Sequence, residues 1–398
     1  MTGRVTGNGR DDVNQVENGG SMTCAEVLER KKCLRMACMV ACTILSIVTQ
    51  AQNKRYVVID QDASGPSGTD CNSILLFLQS PNVDVLGITI VMGDSWRDEE
   101  VAHTLRLLEL IGRTDIPVVP GVDRPFVRTQ DWTSAWEKMY GKVLYQGVWS
   151  NASGKHAPSD VPKLREGNPT TKPLDEDAAH FLIRMVHKYP HQVAIYAGGP
   201  MMNIAEAVIE DPQFAELAGE LVVMGGSINP QTTNAEYIDS QRREFNFWID
   251  PEAASMVFHA HWHKITVTTV DVSIETHLTQ EMVSDLGKSH SAAAQYIARY
   301  SDHRDLDGAG GFLWDELAAA AWIDPSLITH GRNVYMDVSL DKGISYGDTM
   351  VWSEDNKPAL DLQMVYAQMD VDWPKFKNFF MQLMTSPTPG AKSPQMLH

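Results

Sequence analysis

Tyr56-Val57-Val58-Ile59-Asp60-Gln61-Asp62, followed by Ala63-Ser64-Gly65-Pro66-Ser67-Gly68-Thr69-Asp70, sets the reading of the whole chain. Tyr56 to Ile59 is an unbroken apolar run of aromatic and β-branched residues, the pattern of a buried parallel strand. Asp60 and Asp62 close it, and strand alternation predicts that they share one face. A loop of small residues leads to a third carboxylate, Asp70, and Ile74 to Leu78 then reads as a buried helix. Open α/β sheets bind ligands beyond the carboxyl ends of their strands. Carboxylates crowded there repel one another unless positive charge sits between them. A hard divalent cation meets that need with oxygen ligands alone. On this stretch by itself the alternative stands equally: one aspartate caps the helix and the others face water.

The alternation continues outward from this unit. Val83 to Val91 reads as a second strand ending at Gly93-Asp94, and Asp98 to Leu110 as a helix with apolar residues at helical spacing. Ile116 to Gly121 is a short strand. Residues 123 to 172 read as irregular and hold Trp132, Trp136, Tyr140, Tyr145 and Trp149. An insertion of that length points to a functional element or an oligomer contact, and a homo-oligomer, dimer or tetramer, is expected. Helices are predicted over 175–187, 203–209, 279–302, 312–322 and 376–383, and one opening at Asp250-Pro251-Glu252. Strands are predicted over 193–197, 221–224, 265–272 and 334–340. This rhythm predicts an α/β fold with a single doubly wound, mostly parallel (mixed) sheet, Rossmann-like, with helices on both faces, in one domain over 54–390.

The formal net charge of -18 argues against nucleic acid or anionic membranes as partners and leaves a small neutral substrate open. Residues 1–51 read as a disordered polar leader with a signal peptide. Arg30-Lys31-Lys32 and Arg35 precede the apolar run Met36 to Val48, and Thr49-Gln50-Ala51 offers a small-residue cleavage site. A secreted or periplasmic protein is expected, with no membrane contact after processing. Cys24, Cys33, Cys38 and Cys42 would leave with the leader, and Cys71 alone would remain.

Further segments carry chemistry. Val193 to Ala197 ends in Gly198-Gly199-Pro200-Met201-Met202-Asn203, and Leu221 to Met224 ends in Gly225-Gly226 ahead of Asn234. Glu244 and Asn246 stand before a helix, and Asp307-Gly308-Ala309-Gly310-Gly311-Phe312-Leu313-Trp314-Asp315 brings Trp314 and Asp315 to a helix start. In this order the segments resemble the calcium-dependent nucleoside hydrolases, closest in motif to the purine-preferring branch. The resemblance spans residues 54 to 340. It implies Ca²⁺ held by Asp62, Asp70, Asp315 and the backbone carbonyl of Gly198. It implies Asp62 as general base, Asp94 near a purine leaving group, and Asn234, Glu244 and Asn246 on the ribose. Trp314 stands where many members carry a histidine, and implies base stacking, with Trp132 or Trp136 expected on the base's other side. The implied reaction is hydrolysis of the ribonucleoside N-glycosidic bond through an oxocarbenium-like state. The chain departs from the family pattern in its first loop. The interval from Asp62 to Asp70 is three residues longer, and Thr69 replaces the first of two adjacent aspartates.

Two rival readings remain. A DxD after a strand also opens the haloacid-dehalogenase-like phosphohydrolases, and Gly93-Asp94-Ser95-Trp96-Arg97-Asp98 matches their late acidic motif. It comes too early in the chain for that order. A non-catalytic nucleoside- or ribose-binding protein of the same fold is the other rival, and the Asp62, Asp70 and Asp315 set argues against it.

Overall fold

The computed structural model describes residues 54–238, 240, 242–301, 306 and 311–392. The expected leader with its four cysteines, and Asp307 to Gly310, lie outside the described residues. From Lys54 onward the chain forms one compact unit. The strands are β1 (Arg55–Gln61), β2 (Val83–Ile90), β3 (Val118–Pro120), β4 (Val193–Ala197), β5 (Glu220–Met224), β6 (Ile265–Thr268), β7 (Ile328–Val338), β8 (Thr349–Trp352) and β9 (Met364–Val371). They make one sheet in the order β3-β2-β1-β4-β5-β6-β9-β7-β8. Every pairing from β3 across to β9 is parallel, and β7 runs antiparallel to both β9 and β8. The sheet is therefore doubly wound and mixed, as the sequence predicts. The chain builds outward from β1 to β3, then returns and builds the other way from β4. The reversal falls between β1 and β4, where such folds leave a crevice.

Both faces are covered. Val57 and Ile59 of β1 pack with α1 (Thr69–Gln79) and α2 (Arg97–Ile111), and Val58 packs with residues such as Phe181 and Ile204 on the other side. Burial on both faces explains the unbroken apolar run that opened the reading. Cys71 of α1 is buried and free.

Several elements differ from the sequence reading. Within the stretch read as irregular, α3 (Gln130–Tyr140) forms: Thr129 Oγ1 accepts the Trp132 N–H at 3.1 Å, and Thr133 and Trp136 face inward. α4 (Ala178–Lys188) begins later than expected because Asp177 caps it, accepting the His180 N–H at 2.9 Å. The strand predicted over 265–272 ends at Thr268. Val270–Ser273 turns helical, and the Asp271 carboxylate accepts the N–H groups of Ile228 and Asn229 at 2.9 and 2.8 Å. β8 was not foreseen, and neither was β9. It alternates, with Val365 and Ala367 buried and Met364 and Tyr366 exposed, and it inserts between β6 and β7 although it follows both in sequence.

Candidate active site

Asp62 is the first residue past β1, and its carboxylate lies between the ends of β2 and β4. A Cβ on Gly93 would fall 2.0 Å from Oδ2, and one on Gly199 would fall 2.7 Å from Oδ1. Glycine at both positions lets the strand ends close around the acid. Oδ2 accepts the Asp94 N–H at 3.1 Å, which fixes the carboxylate's orientation.

Asp60 has another role. Its Oδ2 accepts from Thr89 Oγ1 at 2.5 Å and from Asn203 Nδ2 at 2.8 Å, tying β1 to β2 and to α5 (Met202–Glu210). Burial pushes its carboxyl up to about 7. The expectation that both acids face one site holds for Asp62 alone, because Asp62 lies beyond the paired strand where alternation no longer governs direction.

Asp70 sits in the first turn of α1, and its Oδ2 accepts from the N–H and hydroxyl of Ser64 at 3.2 and 3.3 Å. Asp315 sits in the first turn of the helix Trp314–Ile323, with its carboxyl within hydrogen-bond reach of Asp70. Gln61, which sequence reasoning missed, donates from Nε2 to Asp315 Oδ2 and to Ser73 Oγ, both at 3.0 Å. Its position next to Asp62 was a weak signal, since only the fold brings Asp315 beside it.

Glu244 caps the short helix Phe245–Ile249. Oε1 accepts the Asn246 N–H at 2.8 Å, and Oε2 accepts those of Phe247 and Gly226 at 3.1 and 3.0 Å. Burial raises its carboxyl to about 7. Three of its roughly four acceptor positions are taken, leaving one for a ligand. Asn246 Nδ2 donates to the carbonyls of Gly198 at 2.7 Å and Met224 at 3.2 Å. Asn234 Oδ1 accepts the Glu236 N–H at 2.9 Å.

These groups meet in one cavity of about 500 Å³. Asp62, Asp70, Asp94, Gly198, Asn234, Glu244, Asn246, Trp314 and Asp315 all line it. Trp314 joins an aromatic wall with Phe312 at 4.9 Å and Tyr237 at 5.8 Å between ring centroids. Tyr145 and Phe245 line the cavity too, and the Tyr145 hydroxyl accepts from Asn151 Nδ2 at 3.3 Å. Trp132 and Trp136 do not line it. Trp132 packs on Tyr346 at 5.1 Å, and Trp136 donates from Nε1 to the Gly343 carbonyl at 2.9 Å. Both indoles anchor α3, and the aromatic residues that line the cavity with Trp314 are Tyr145, Tyr237, Phe245, Tyr300 and Phe312.

Burial raises Asp62, Asp94 and Asp315 well above the usual carboxylate range. Repulsion adds to this: Asp94 and then Asp70 act on Asp62, Asp70 on Asp94, and Asp70 and then Asp62 on Asp315. Among the described residues no Lys or Arg pairs with any of them. Arg165 lines the cavity but bonds the backbone carbonyls of Pro66 and Tyr300. Among the described residues no three His, Cys, Asp or Glu side chains converge in an arrangement that could hold a metal ion by themselves. The donors at this end are nevertheless all oxygen, three carboxylates and a carbonyl with no thiol or imidazole in the lining, which fits a hard cation.

Residues 57–378 match the family model described as inosine-uridine preferring nucleoside hydrolase. A probable uridine nucleosidase 1 of Oryza sativa subsp. japonica is 28% identical, over 83% of this chain and 97% of the relative. An inosine-uridine preferring nucleoside hydrolase of Leishmania major is 26% identical, over 80% of this chain and 94% of the relative. Among solved structures, a plant nucleoside hydrolase superposes with TM-score 0.66 at 27% identity, covering 84% of this chain and 99% of its own. A purine-preferring ribonucleoside hydrolase from Gardnerella vaginalis gives TM-score 0.64 at 25% identity, covering 83% and 98%.

Proposed function

We propose, for a chain that belongs to the inosine-uridine preferring nucleoside hydrolase family and so hydrolyses the N-glycosidic bond of ribonucleosides, that its Asp62 is the general base and that purine nucleosides are its preferred substrates. The observation that carries this is the cavity's polarity: oxygen acceptors at the Asp62 end and the Trp314 aromatic wall lining the same space. Asp62, Asp70, Asp315 and the Gly198 carbonyl would hold Ca²⁺. Such an ion, when bound, supplies the positive charge that orients sugar hydroxyls and acidifies an attacking water. Asp62, held by the Asp94 N–H, takes that water's proton. Glu244 and Asn246 steady the sugar from the side of the Phe245–Ile249 helix. Trp314 stacks on the departing base and eases its protonation through the ring face, and Asp94, which lines the same cavity with Tyr145, orients a donor or water beside it.

Relatives named for uridine make base preference a matter for experiment. Release of hypoxanthine, guanine and uracil from inosine, guanosine and uridine is the test. Faster release of the purines, lost in EGTA after dialysis and regained with Ca²⁺, is expected. Equal or better uridine cleavage overturns the purine preference, full activity in EGTA overturns the metal, and no release from any nucleoside favours the non-catalytic binding protein. The phosphohydrolase reading gains no support, since Asp98 pairs with Arg97 at 2.7 Å and does not line the cavity. Export before Gln52 and a homo-oligomeric assembly are further proposals from the sequence. Intact mass of protein from its native cell tests the first, where a mass that includes residues 1–51 overturns it.

A further inference from the structure

Tyr145 reaches the cavity from the stretch between α3 and α4, and one amide side chain fixes it there. The tight turn Gly147–Trp149 follows it and lies against the end of β2. A Cβ on Gly147 would fall 2.3 Å from Phe245 Cζ and 2.5 Å from the Gly93 carbonyl oxygen, so only glycine permits this approach. The Val148 N–H donates to that same carbonyl at 2.8 Å. Asn151 Nδ2 then donates to the Asp94 carbonyl at 2.9 Å and to the Tyr145 hydroxyl oxygen at 3.3 Å. The Tyr145 ring packs edge-on against Phe245, with centroids 5.1 Å apart.

A side-chain amide nitrogen carries two protons, and Asn151 spends one on each acceptor. A phenol carries one proton and also accepts. With Asn151 on the acceptor side of the Tyr145 oxygen, the hydroxyl proton is what remains to face the cavity. Burial, and then the Asp94 charge, push the phenol well above its ordinary value, so that proton stays on the oxygen. The bond received from Asn151 polarises the O–H, because hydrogen bonds in a chain strengthen one another. Two other donors in the lining are already spent, Asn246 Nδ2 on the carbonyls of Gly198 and Met224 and Thr69 on Glu316. A departing purine presents an imidazole-ring nitrogen with a lone pair. That nitrogen gains negative charge as the C1′–N bond breaks, so a donor already aimed at it binds the transition state more strongly than the ground state.

We propose that the Tyr145 hydroxyl is the hydrogen-bond donor to the departing base, with Asn151 the positioning residue that aims it. Tyr145 keeps its own proton throughout. The electron pair of the C1′–N bond passes to the base. The attacking water gives its oxygen to C1′ and its proton to Asp62, and the base takes a proton from bulk water that Asp62 afterwards restores. The proposal rests on the nucleoside hydrolase reading and adds to it a donor on the leaving-group side, where Trp314 offers a ring face and no acid. Tyr145→Phe removes the hydroxyl and keeps the ring against Phe245. Asn151→Asp is near-isosteric, and it puts an acceptor where the donor stood, which draws the tyrosine proton away from the cavity.

The test is kcat and KM for inosine and for p-nitrophenyl riboside, whose leaving group has no ring nitrogen, with thermal melts to confirm folding. Tyr145→Phe should lower kcat on inosine about tenfold to a hundredfold and leave KM within about threefold. Its loss on p-nitrophenyl riboside should be smaller, below about threefold. Asn151→Asp should reproduce that split, and the double variant should be within about twofold of the slower single one on inosine. A folded Tyr145→Phe whose kcat on inosine stays within about twofold of wild type, or which loses equally on both substrates, overturns the proposal. So does a folded Asn151→Asp that keeps the wild-type ratio of the two substrates, or a double variant in which the two losses multiply. Wild-type protein that cleaves no inosine refutes the purine reading instead, which keeps the two failures distinguishable.

Discussion

Asp62, Asp70 and Asp315 are buried at the crevice between β1 and β4 with Asp94 half-buried beside them, and no Lys or Arg among the described residues is paired to them. Just ahead of α3, Arg128 is buried in the opposite condition. It is 1% exposed, and none of its three guanidinium nitrogens finds a hydrogen-bond partner. Its guanidinium instead lies 4.2 Å from the ring centre of Trp248, 4.4 Å from that of Tyr346 and 5.1 Å from that of Trp132. Burial lowers its pKa to about 10, so it stays charged at neutral pH. Ring faces attract a cation without moving or exchanging protons, and that charge is settled once the chain folds. The carboxylates have no such internal partner, so their mutual repulsion persists in the folded protein. Such strain costs stability and favours an incoming cation or a donor-rich ligand. The contrast separates a charge kept for structure from charges kept for binding.

The strongest way to break that contrast is to neutralise the acids singly. Asp62→Asn, Asp70→Asn and Asp315→Asn should each lower kcat about a hundredfold to ten-thousandfold in nucleobase release. Their melting temperatures should match or exceed wild type, because a buried repulsion is relieved. Loss of both activity and stability would place these acids with Arg128 as structural groups. Next, Arg128→Ala should cost about 2–4 kcal/mol in denaturant unfolding, as a cavity opens among three rings. Arg128→Met should recover most of that, since it fills the space without a charge to desolvate, and neither should change KM for inosine. A methionine variant as unstable as the alanine one would show that the cation itself holds the rings.

Trp314→Ala is smaller in effect and sharpens the cavity side alone. Stacking contributes about 1–3 kcal/mol per base, so kcat on inosine should fall roughly tenfold to a hundredfold. The loss on p-nitrophenyl riboside, whose leaving group needs no protonation, should be much less. Equal losses would make Trp314 a packing residue.

The smallest effect concerns His103 of α2, which lies under the Asp62–Asp70 loop 3.7 Å from where a Gly65 Cβ would stand. Burial pulls its pKa down, but bonds to Glu166 and Glu99 outweigh that and leave it above its ordinary value. A histidine raised in the folded state stabilises most below its unfolded pKa of about 6.5, and that support fades as pH rises through the folded value. Thermal melts should therefore show the wild type's advantage over His103→Gln shrinking as pH rises from about 6. A gap independent of pH would mean that His103 stays neutral.

Much of the frame was legible because burial writes itself into the chain. The apolar run of β1 and the small residues after each strand announced parallel strands and a crevice. Asp62, Asp70, Gly198, Glu244, Asn246 and Asp315 were legible as an ordered set. Partnerships across the fold were not. Gln61 meets Asp315 over 254 positions and Thr69 meets Glu316 over 247, and no local pattern records either contact. Asp60 looked like Asp62 because alternation says nothing of where pairing stops. Trp132 and Trp136 looked like site aromatics because composition does not distinguish an indole that lines a cavity from one that braces α3. β9 was hidden because it joins the sheet out of chain order, so its neighbours in space lie far away in sequence.

Those long separations also set a timetable for synthesis. Asp62, Asp70 and Asp94 leave the ribosome early, and strands β1 to β6 can begin to pair while the rest is still being made. Asp315, Glu316 and Trp314 arrive only after nearly four-fifths of the chain, and β9 later still. Until then the early acids remain hydrated and far from their later neighbours. A nascent chain arrested before Trp314 could assemble much of the sheet, yet it would lack one whole wall of the cavity. The cavity is therefore complete only once the helix Trp314–Ile323 has been made and lies against α1.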